Sequence, residues 1–286
     1  MLFGVICILL WGLIPVVSVL GMKGLDQYQF LFLSSLVSFL TLGLLTLTQK
    51  QGRKLKGQSM KFWLQATVLG LLGTFFYYFC LYQGYKLGSN IEVLSVQYTW
   101  PAWIIVFALL VSKTNFKWHH GMVIVSGIAS VLLVISKGNI SALVVPDLAV
   151  LLWVLLGAAG FALFSVLSKG VKMAPLPLNT VFFGVASIAS FILLQSKSYF
   201  ALPSFENIGA LLANGILVNG ISYYFWVAAL RKTKPEYLSL LTFLTPLVSV
   251  LYLVVLFNEP FYPAYYLAFA MVVISGIVSV LAGKKA

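Results

Sequence analysis

The chain carries little charge, and very little of that charge is negative. Of its 286 residues 6 are acidic, 2 are histidine and 2 are cysteine, and all charged residues together make up 8% of the composition. Hydrophobic residues make up 61%, and a water-soluble fold of this size could not cover its surface with so few polar side chains. The composition therefore excludes a soluble protein and predicts an all-α integral membrane protein.

The scarcity of cysteine, histidine and acidic residues also limits the chemistry. Cys7 and Cys80 both fall within apolar runs, where a free thiol behaves as a small hydrophobic side chain, so we expect no structural disulfide. His119 and His120 are adjacent, point to different faces of a helix and have no third ligand nearby in the sequence. No serine, histidine and acid grouping suggests hydrolysis. We therefore expect no enzyme, no cofactor and no metal site.

Ten apolar runs are close to the length of about 20 residues that crosses a bilayer as a helix. The predicted helices lie near residues 2–22, 28–48, 62–85, 90–112, 118–136, 148–171, 175–197, 205–230, 235–257 and 262–282. The connectors between them are short and leave no room for a soluble domain. The first run has no basic region ahead of it, which argues against a cleaved signal peptide.

The second half of the chain repeats the first. Tyr77-Tyr78-Phe79, Pro101 and Ser126-Gly127-Ile128 recur in the same order as Tyr223-Tyr224-Phe225, Pro246 and Ser275-Gly276-Ile277, at spacings of 146, 145 and 149 residues. Residues 1–141 and 142–286 are thus predicted to be two five-helix repeats of one transport domain. Because each repeat has an odd number of helices, the second must enter the membrane from the opposite side. Inverted repeats are typical of secondary transporters that bind their substrate between the two halves.

The positively charged residues are distributed unevenly between the connectors on the two sides of the membrane. A net charge of +12 could indicate nucleic-acid binding in a soluble protein, but here the cations lie in short segments between apolar runs. The connectors on one side hold Lys23, Lys86, Lys137 and Lys197, and the other side holds the remaining 14 of the 18 cations. The positive-inside rule places the cation-rich side and both termini in the cytoplasm. We expect the lipid bilayer, and no nucleic acid, as a partner.

Two prolines and several aromatic residues mark the expected substrate path. Pro101 and Pro246 lie mid-membrane in corresponding helices, where each frees a backbone carbonyl and permits a bend, so both are candidate hinges. The aromatic candidates for the cavity wall flank these prolines or occupy the duplicated helices three and eight: Tyr78, Tyr82, Tyr98, Trp100, Tyr224 and Trp226. Such a wall suits an apolar or cationic organic solute, although ordinary packing would explain any one of these residues.

Glu92 is the acidic residue that the sequence places deepest, near the start of helix four. It could face a substrate ammonium, or carry a proton because burial favours its neutral form, or simply stand at the start of a helix. If it contacts the substrate, Glu92→Gln is expected to abolish efflux while the protein still folds.

A set of short motifs runs along the chain: Trp11-Gly12, Pro246 followed by Asn258-Glu259, and Ser275-Gly276-Ile277 beyond it. In these motifs the chain resembles the EamA-type transporters of the drug/metabolite transporter superfamily. Ile91-Glu92-Val93 and the stretch from Val96 to Pro101 are similar to the YddG-type exporters of aromatic amino acids. This resemblance implies a monomer in the bacterial inner membrane that exports amino acids through a hydrophobic central cavity. It also implies that Glu92, Tyr98 and Trp100 line or gate the path, and Trp11 of the shared Trp-Gly motif is a further candidate for the path.

The substrate class stays open at this point. An exporter of lipophilic or quaternary organic cations is an alternative, since an aromatic cage with a carboxylate suits both solutes. A remote alternative is a non-transporting membrane partner or a lipid scramblase, for which we would expect a polar groove open to lipid. Competition between a zwitterion and a quaternary amine would distinguish the first two.

Overall fold

The computed structural model describes residues 2–113, 115–143, 145–257 and 260–284. Asn258 and Glu259, on which part of the resemblance rests, lie outside this part of the chain. The described residues form helices and connectors with no strand. Ten membrane helices follow in order: α1 (Leu2–Trp11 with Ile14–Gly21), α2 (Gln27–Thr48), α3 (Met60–Leu87), α4 (Asn90–Gln97 with Trp100–Ser112), α5 (Trp118–Ile135), α6 (Leu148–Ser168), α7 (Pro175–Lys197), α8 (Phe205–Lys232), α9 (Pro235–Thr242 with Thr245–Phe257) and α10 (Ala264–Lys284).

These helices have the length and composition of membrane spans. In the described residues nine of them, α1 to α9, are apolar over at least 18 residues, and the tenth, Ala264–Lys284, has 21 residues. The described apolar stretch of α10, Ala264–Ser279, is somewhat shorter. The predicted all-α membrane fold built of two five-helix repeats is confirmed. The predicted boundary between the repeats, after residue 141, stays a prediction.

Short polar residues cap the starts of four of these helices. The side chains of Asp26, Ser59, Ser89 and Asp147 accept hydrogen bonds from backbone N–H groups in the first turns of α2, α3, α4 and α6. These N–H groups have no partner within their own helix, so a side-chain cap stabilises each start by about 1 kcal/mol. Pro175 begins α7, at a position where the missing N–H costs nothing.

The helix pairs repeat with the sequence. α3 packs on α6, and the corresponding pair in the other repeat, α8 and α1, is also in contact. α2 packs on α7, α5 on α10 and α4 on α9, and each of these pairs joins a helix to its own counterpart. A pseudo-two-fold axis that relates the halves produces this set of contacts, because the axis exchanges the two helices of each of these three pairs.

The connectors meet at two rims, as the alternation of helices requires. At the cation-rich rim, Lys169 Nζ donates to the Thr233 carbonyl oxygen at 3.2 Å. At the cation-poor rim, Gln29 Nε2 donates to the Tyr199 carbonyl oxygen at 3.0 Å. Connectors that the sequence assigns to one side of the membrane therefore lie against each other.

Five of the described helices are irregular in mid-span. α1 is interrupted at Gly12-Leu13, α4 at Tyr98-Thr99 and α9 at Phe243-Leu244. α3 and α8 instead widen into π-helical segments, Leu71–Phe76 and Ala213–Ile221, immediately before or within one residue of the repeated Tyr-Tyr-Phe. Irregular backbone inside a membrane is stable only where it is buried in protein or lines a cavity, so these five positions indicate where a site could lie.

The causes of the interruptions are local. Pro101 and Pro246 each follow a break by two residues, and neither has an N–H to donate to the carbonyl four residues earlier. In α1 the Leu9 carbonyl accepts a hydrogen bond from the Tyr252 hydroxyl of α9 at 2.9 Å. The freed carbonyl of α1 is thus satisfied by a neighbouring helix. That both proline helices are interrupted is observed, and their action as hinges stays a prediction.

Candidate functional site

A cavity lies between the two repeats at the level of the helix interruptions. It is lined by residues from six helices, three in each repeat: Trp11, Ile14, Tyr77, Tyr78, Gln97, Tyr98, Trp100, Phe161, Tyr223 and Thr245. All ten of these side chains are uncharged. The position between pseudo-symmetric halves is where transporters with inverted repeats bind their substrates.

Each irregular helix contributes to this cavity at its irregular point. Trp11 and Ile14 flank the break in α1, and Thr245 follows the break in α9. In α4 Gln97 and Trp100 flank the break, and Tyr98 lies in it. Tyr77 and Tyr78 follow the π-helical segment of α3, and Tyr223 lies two residues beyond that of α8. π-helical segments in membrane and soluble helices are often found at functional sites. Five distortions that converge on one cavity are difficult to explain by packing alone.

Five aromatic rings pack edge to face at the centre. Trp11, Trp100 and Phe161 form a triangle in which ring centroids lie 5.1 to 5.6 Å apart and interplanar angles are 85 to 89°. Trp226 joins it edge to face at 5.9 Å from Trp100, and Tyr223 lies edge to face at 5.9 Å from Phe161. Edge-to-face contacts of this kind are worth about 1 kcal/mol each beyond their buried area. The cluster forms a rigid apolar wall.

Two of the indole N–H groups are held by serines. Trp11 Nε1 donates to Ser222 Oγ at 2.8 Å, and Trp226 Nε1 donates to Ser165 Oγ at 3.0 Å. The Ser222 hydroxyl in turn donates to the Val218 carbonyl. With the N–H edges bonded to the protein, what Trp11 can offer a solute in the cavity is its ring face.

The cavity also contains polar atoms without a partner. Tyr78 Oη, Gln97 Oε1 and Thr245 Oγ1 are buried and have no hydrogen bond within the described residues. Gln97 Nε2, by contrast, donates to Tyr77 Oη at 3.2 Å, and Tyr98 Oη lies 2.8 Å from Ser249 Oγ. Leaving a buried polar atom unpaired costs about 1 to 3 kcal/mol. Three such atoms in one cavity suit a polar ligand that would bond to them.

The cavity is nearly closed in this conformation. Its volume is about 10 Å³, which is roughly the space for one water molecule. A larger solute can enter only after the lining helices move apart. In the prediction that Pro101 and Pro246 act as hinges, the interruptions of α4 and α9 would provide this movement.

The structure brings together some of the sequence-predicted residues and separates others. Trp11, Tyr78, Tyr98 and Trp100 line the cavity, and Trp226 lies in its aromatic wall. Tyr82 packs beside Tyr78 with centroids 5.6 Å apart, but its hydroxyl accepts a hydrogen bond from Asn214 Nδ2 at 3.0 Å. It thus borders the wall without reaching the cavity.

Tyr224 and Glu92 lie elsewhere. Tyr224 is half-buried against Phe225, and the neighbouring Tyr223 lines the cavity in its place. Glu92 is at the cation-poor rim in the first turn of α4, where Oε2 accepts from the backbone N–H and the hydroxyl of Ser89 at 2.7 and 2.8 Å. Its other oxygen accepts from the Asp147 N–H at 3.3 Å. This position is that of a helix-capping carboxylate and does not support contact with an ammonium in the cavity.

Several lining residues were not singled out from the sequence. In the internal repeat, Tyr223 corresponds to Tyr77 and Thr245 corresponds to Trp100. The sequence therefore contained a signal for Tyr223 and Thr245. Phe161 and Gln97 gave no such signal as cavity residues. Asn214 and Asn219 also escaped notice, although both are fully buried in the π-helical segment of α8.

The sequence matches the EamA-like transporter family twice, over residues 1–136 and over residues 148–281. Together the two matches cover most of the chain and correspond to its two repeats. This chain belongs to the EamA-like transporter family. It is therefore a multi-pass membrane protein of a family that transports small molecules, and the family is one of transporters and not of enzymes.

The other comparisons add the fold. A solved structure titled "Crystal structure of protein" superposes with a TM-score of 0.84 at 20% sequence identity, over 99% of this chain and 97% of the other. A likeness at that identity concerns the fold and leaves the substrate open. The comparison with curated proteins found no match.

Proposed function

We propose that this EamA-like transporter exports amino acids, including aromatic ones, by alternating access through the central cavity. The observation that carries the proposal is the convergence of five helix irregularities on one aromatic cavity between the repeats. In this proposal the protein acts as a monomer in the bacterial inner membrane, with both termini in the cytoplasm. Pro101 and Pro246 act as the hinges between inward-open and outward-open packings.

The aromatic wall would receive the side chain of the amino acid. Trp11, Trp100 and Phe161 already pack edge to face, and opening of the cavity would expose ring faces and edges to a solute. An aromatic side chain could join this arrangement with the same geometry. The favoured solutes are therefore amino acids with large apolar or aromatic side chains.

The unpartnered polar atoms would receive the zwitterionic end. The hydroxyls of Tyr78 and Thr245 can donate to a carboxylate, and Gln97 Oε1 can accept from an ammonium. A hydrogen bond to a charged group contributes about 1.5 to 3 kcal/mol. The cavity thus offers neutral partners to both charges of a zwitterion.

Export of organic cations is the second candidate, since indole and phenol faces also attract cations. The positions of the acidic residues favour the zwitterion. The four carboxylates whose side chains the structure describes, those of Asp26, Glu92, Asp147 and Glu206, all lie in the first turns or caps of helices at the cation-poor rim. A permanent cation in the cavity would have aromatic faces around it but no carboxylate from this set.

Counterflow in proteoliposomes tests the proposal. Purified protein is reconstituted in liposomes loaded with unlabelled phenylalanine, and uptake of radiolabelled phenylalanine is measured with and without methyl viologen. We expect accumulation above that of empty liposomes and weak competition by the cation. No accumulation, together with saturable binding of methyl viologen, would transfer the assignment to organic cations.

A pair of repeat-related tyrosines supplies the matched variants. Tyr78→Phe removes an unpartnered hydroxyl from the cavity, and Tyr224→Phe removes the hydroxyl at the corresponding position outside it. We expect Tyr78→Phe to raise the KM for phenylalanine about tenfold or more and Tyr224→Phe to leave it unchanged. Equal KM values in the two variants would remove the zwitterion subsite from the proposal.

A further inference from the structure

A second and larger recess lies between the first segment of α9 and α10. Its volume is about 560 Å³, and it shares no lining residue with the central cavity. The lining is apolar except for two hydroxyl-bearing side chains at one end, and consists of Thr233, Tyr237, Leu240, Leu241, Leu244, Val272, Val273, Gly276, Ile277 and Leu281. We call this recess the α9–α10 groove. Because both of its walls are membrane helices, the groove opens where acyl chains are the solvent.

The internal repeat shows that this space is filled in the other half of the molecule. Gly127 of α5 corresponds to Gly276 of α10, and a Cβ at Gly127 would lie 2.5 Å from the Phe243 ring, which covers that position. At Gly276 no heavy atom in the described part of the chain lies within 4 Å of the same point. Tyr98, the counterpart of Phe243, packs instead with its hydroxyl 2.8 Å from Ser249 Oγ. An apolar group that covers Gly127 is thus supplied by the protein, whereas the surface at Gly276 is open to another molecule.

Three lysines lie beside Thr233 at the polar end of the groove. Thr233 lies between Lys232 and Lys234, both of which are exposed, and its carbonyl accepts the hydrogen bond from Lys169 Nζ. Lys232 Nζ lies 4.7 Å from the Phe3 ring centroid. Three ammonium groups therefore stand at the cation-rich rim where the apolar groove ends. Glu236 follows in the sequence, and its side chain lies outside the described residues.

We propose that the α9–α10 groove binds one anionic phospholipid, with an acyl chain along the groove and the phosphate at Lys232 and Lys234. The apolar lining excludes a polar occupant along its length, and the lysines complement a negatively charged headgroup. Thr233 and Tyr237 place hydroxyls at the depth of the ester groups, where they can donate to carbonyl oxygens. The lining is too apolar to carry a headgroup across, so this is a site of binding and not a path for lipid transfer. The site does not depend on which solute the central cavity transports.

Lipid-dependent stability and native mass spectrometry of the full-length purified protein test the site. The probes are phosphatidylglycerol and phosphatidylcholine with identical acyl chains, titrated into the detergent-solubilised protein. We expect one phosphatidylglycerol to remain bound and to raise the unfolding temperature more than phosphatidylcholine does. Gly276→Leu, which fills the groove, should abolish this difference. Gly209→Leu is the control, because a Cβ at Gly209 in α8 would also have no heavy atom of the described residues within 4 Å, but Gly209 lies outside the groove.

A lysine variant tests the headgroup contact separately. Lys232→Gln combined with Lys234→Gln should weaken phosphatidylglycerol binding roughly 30-fold, as expected for two lysines near an anionic lipid, and should leave phosphatidylcholine binding unchanged. Equal stabilisation of the wild type by both lipids would exclude the headgroup site. Equal lipid responses of Gly276→Leu and the wild type would exclude the groove. A wild-type dimer without bound lipid that Gly276→Leu dissociates would assign the groove to a second copy of the chain.

Discussion

At the scale of single residues, hydroxyl groups that are buried between the membrane helices have different roles. The hydroxyls of Ser165 and Ser222 hold indole N–H groups, whereas those of Tyr78 and Thr245 face the cavity without a partner. The difference follows from neighbours that the helices bring together across the two repeats. Acidic residues show the same dependence on context, and Glu92 provides the clearest test.

Glu92→Gln is expected to retain phenylalanine counterflow within about twofold, because the amide oxygen can still accept from Ser89 and the capping box tolerates glutamine. Glu92→Leu should lower the free energy of unfolding by about 1 kcal/mol, the usual value of a helix cap. Unfolding in mixed micelles and counterflow measure the two quantities. Loss of counterflow in Glu92→Gln with unchanged stability would contradict the capping role and restore the contact with substrate that the sequence suggested.

At the scale of elements, the π-helical segments depend on glycines that let helices approach closely. In α8 a Cβ at Gly215 would lie 2.6 Å from Val37 of α2 and 3.0 Å from the Ser34 carbonyl oxygen. At the same contact between α2 and α8, Ser38 Oγ donates a hydrogen bond to the Gly215 carbonyl oxygen at 2.8 Å. A side chain at Gly215 would therefore push α2 away from the widened part of α8.

Gly215→Ala is expected to lower the free energy of unfolding by about 1 to 3 kcal/mol, the usual cost of overpacking a filled interior. The matched control is Gly209→Ala in the same helix, which has free space and should be neutral or stabilising by about 0.5 to 1 kcal/mol. Unfolding of both variants in mixed micelles compares them directly. Equal stabilities would show that the π-helical segment relaxes to accept a methyl group.

At the scale of the whole molecule, the cation distribution sets the orientation that we propose. The connectors at the cation-rich rim hold most of the lysines and arginines, and the structure brings these connectors together. Lys54 lies exposed in the connector between α2 and α3, and Lys86 lies exposed at the end of α3 near the opposite rim. Cys7 and Cys80 are buried and should react little with a polar reagent.

Labelling of intact cells with a membrane-impermeant maleimide tests this orientation. We expect Lys86→Cys to react from outside and Lys54→Cys to react only after the membrane is opened. The protein with its two native cysteines is the background control. The reverse pattern of labelling would place both termini outside the cytoplasm.

The sequence by itself determined the all-helical membrane fold, because 61% hydrophobic residues require lipid as the solvent and continuous apolar runs of about 20 residues are typical of membrane-spanning helices. It also determined the two repeats and the interrupted helices at Pro101 and Pro246, since a proline lacks an N–H wherever the helix packs. These features are local or compositional. They depend on which residues follow one another and not on which residues meet in space.

Only the tertiary structure decided which aromatic residues face the cavity. Tyr223 lines it while Tyr224 does not, because widening of α8 just before this pair changes the direction of each side chain, and sequence periodicity assumes a regular helix. Phe161 and Gln97 enter the site through the packing of α6 and α4 across the repeat interface. Glu92 caps α4 together with Ser89 through a local Ser-x-x-Glu pattern that the sequence contains. Its contact with the Asp147 N–H joins distant segments, and such contacts leave no periodic trace in a single sequence.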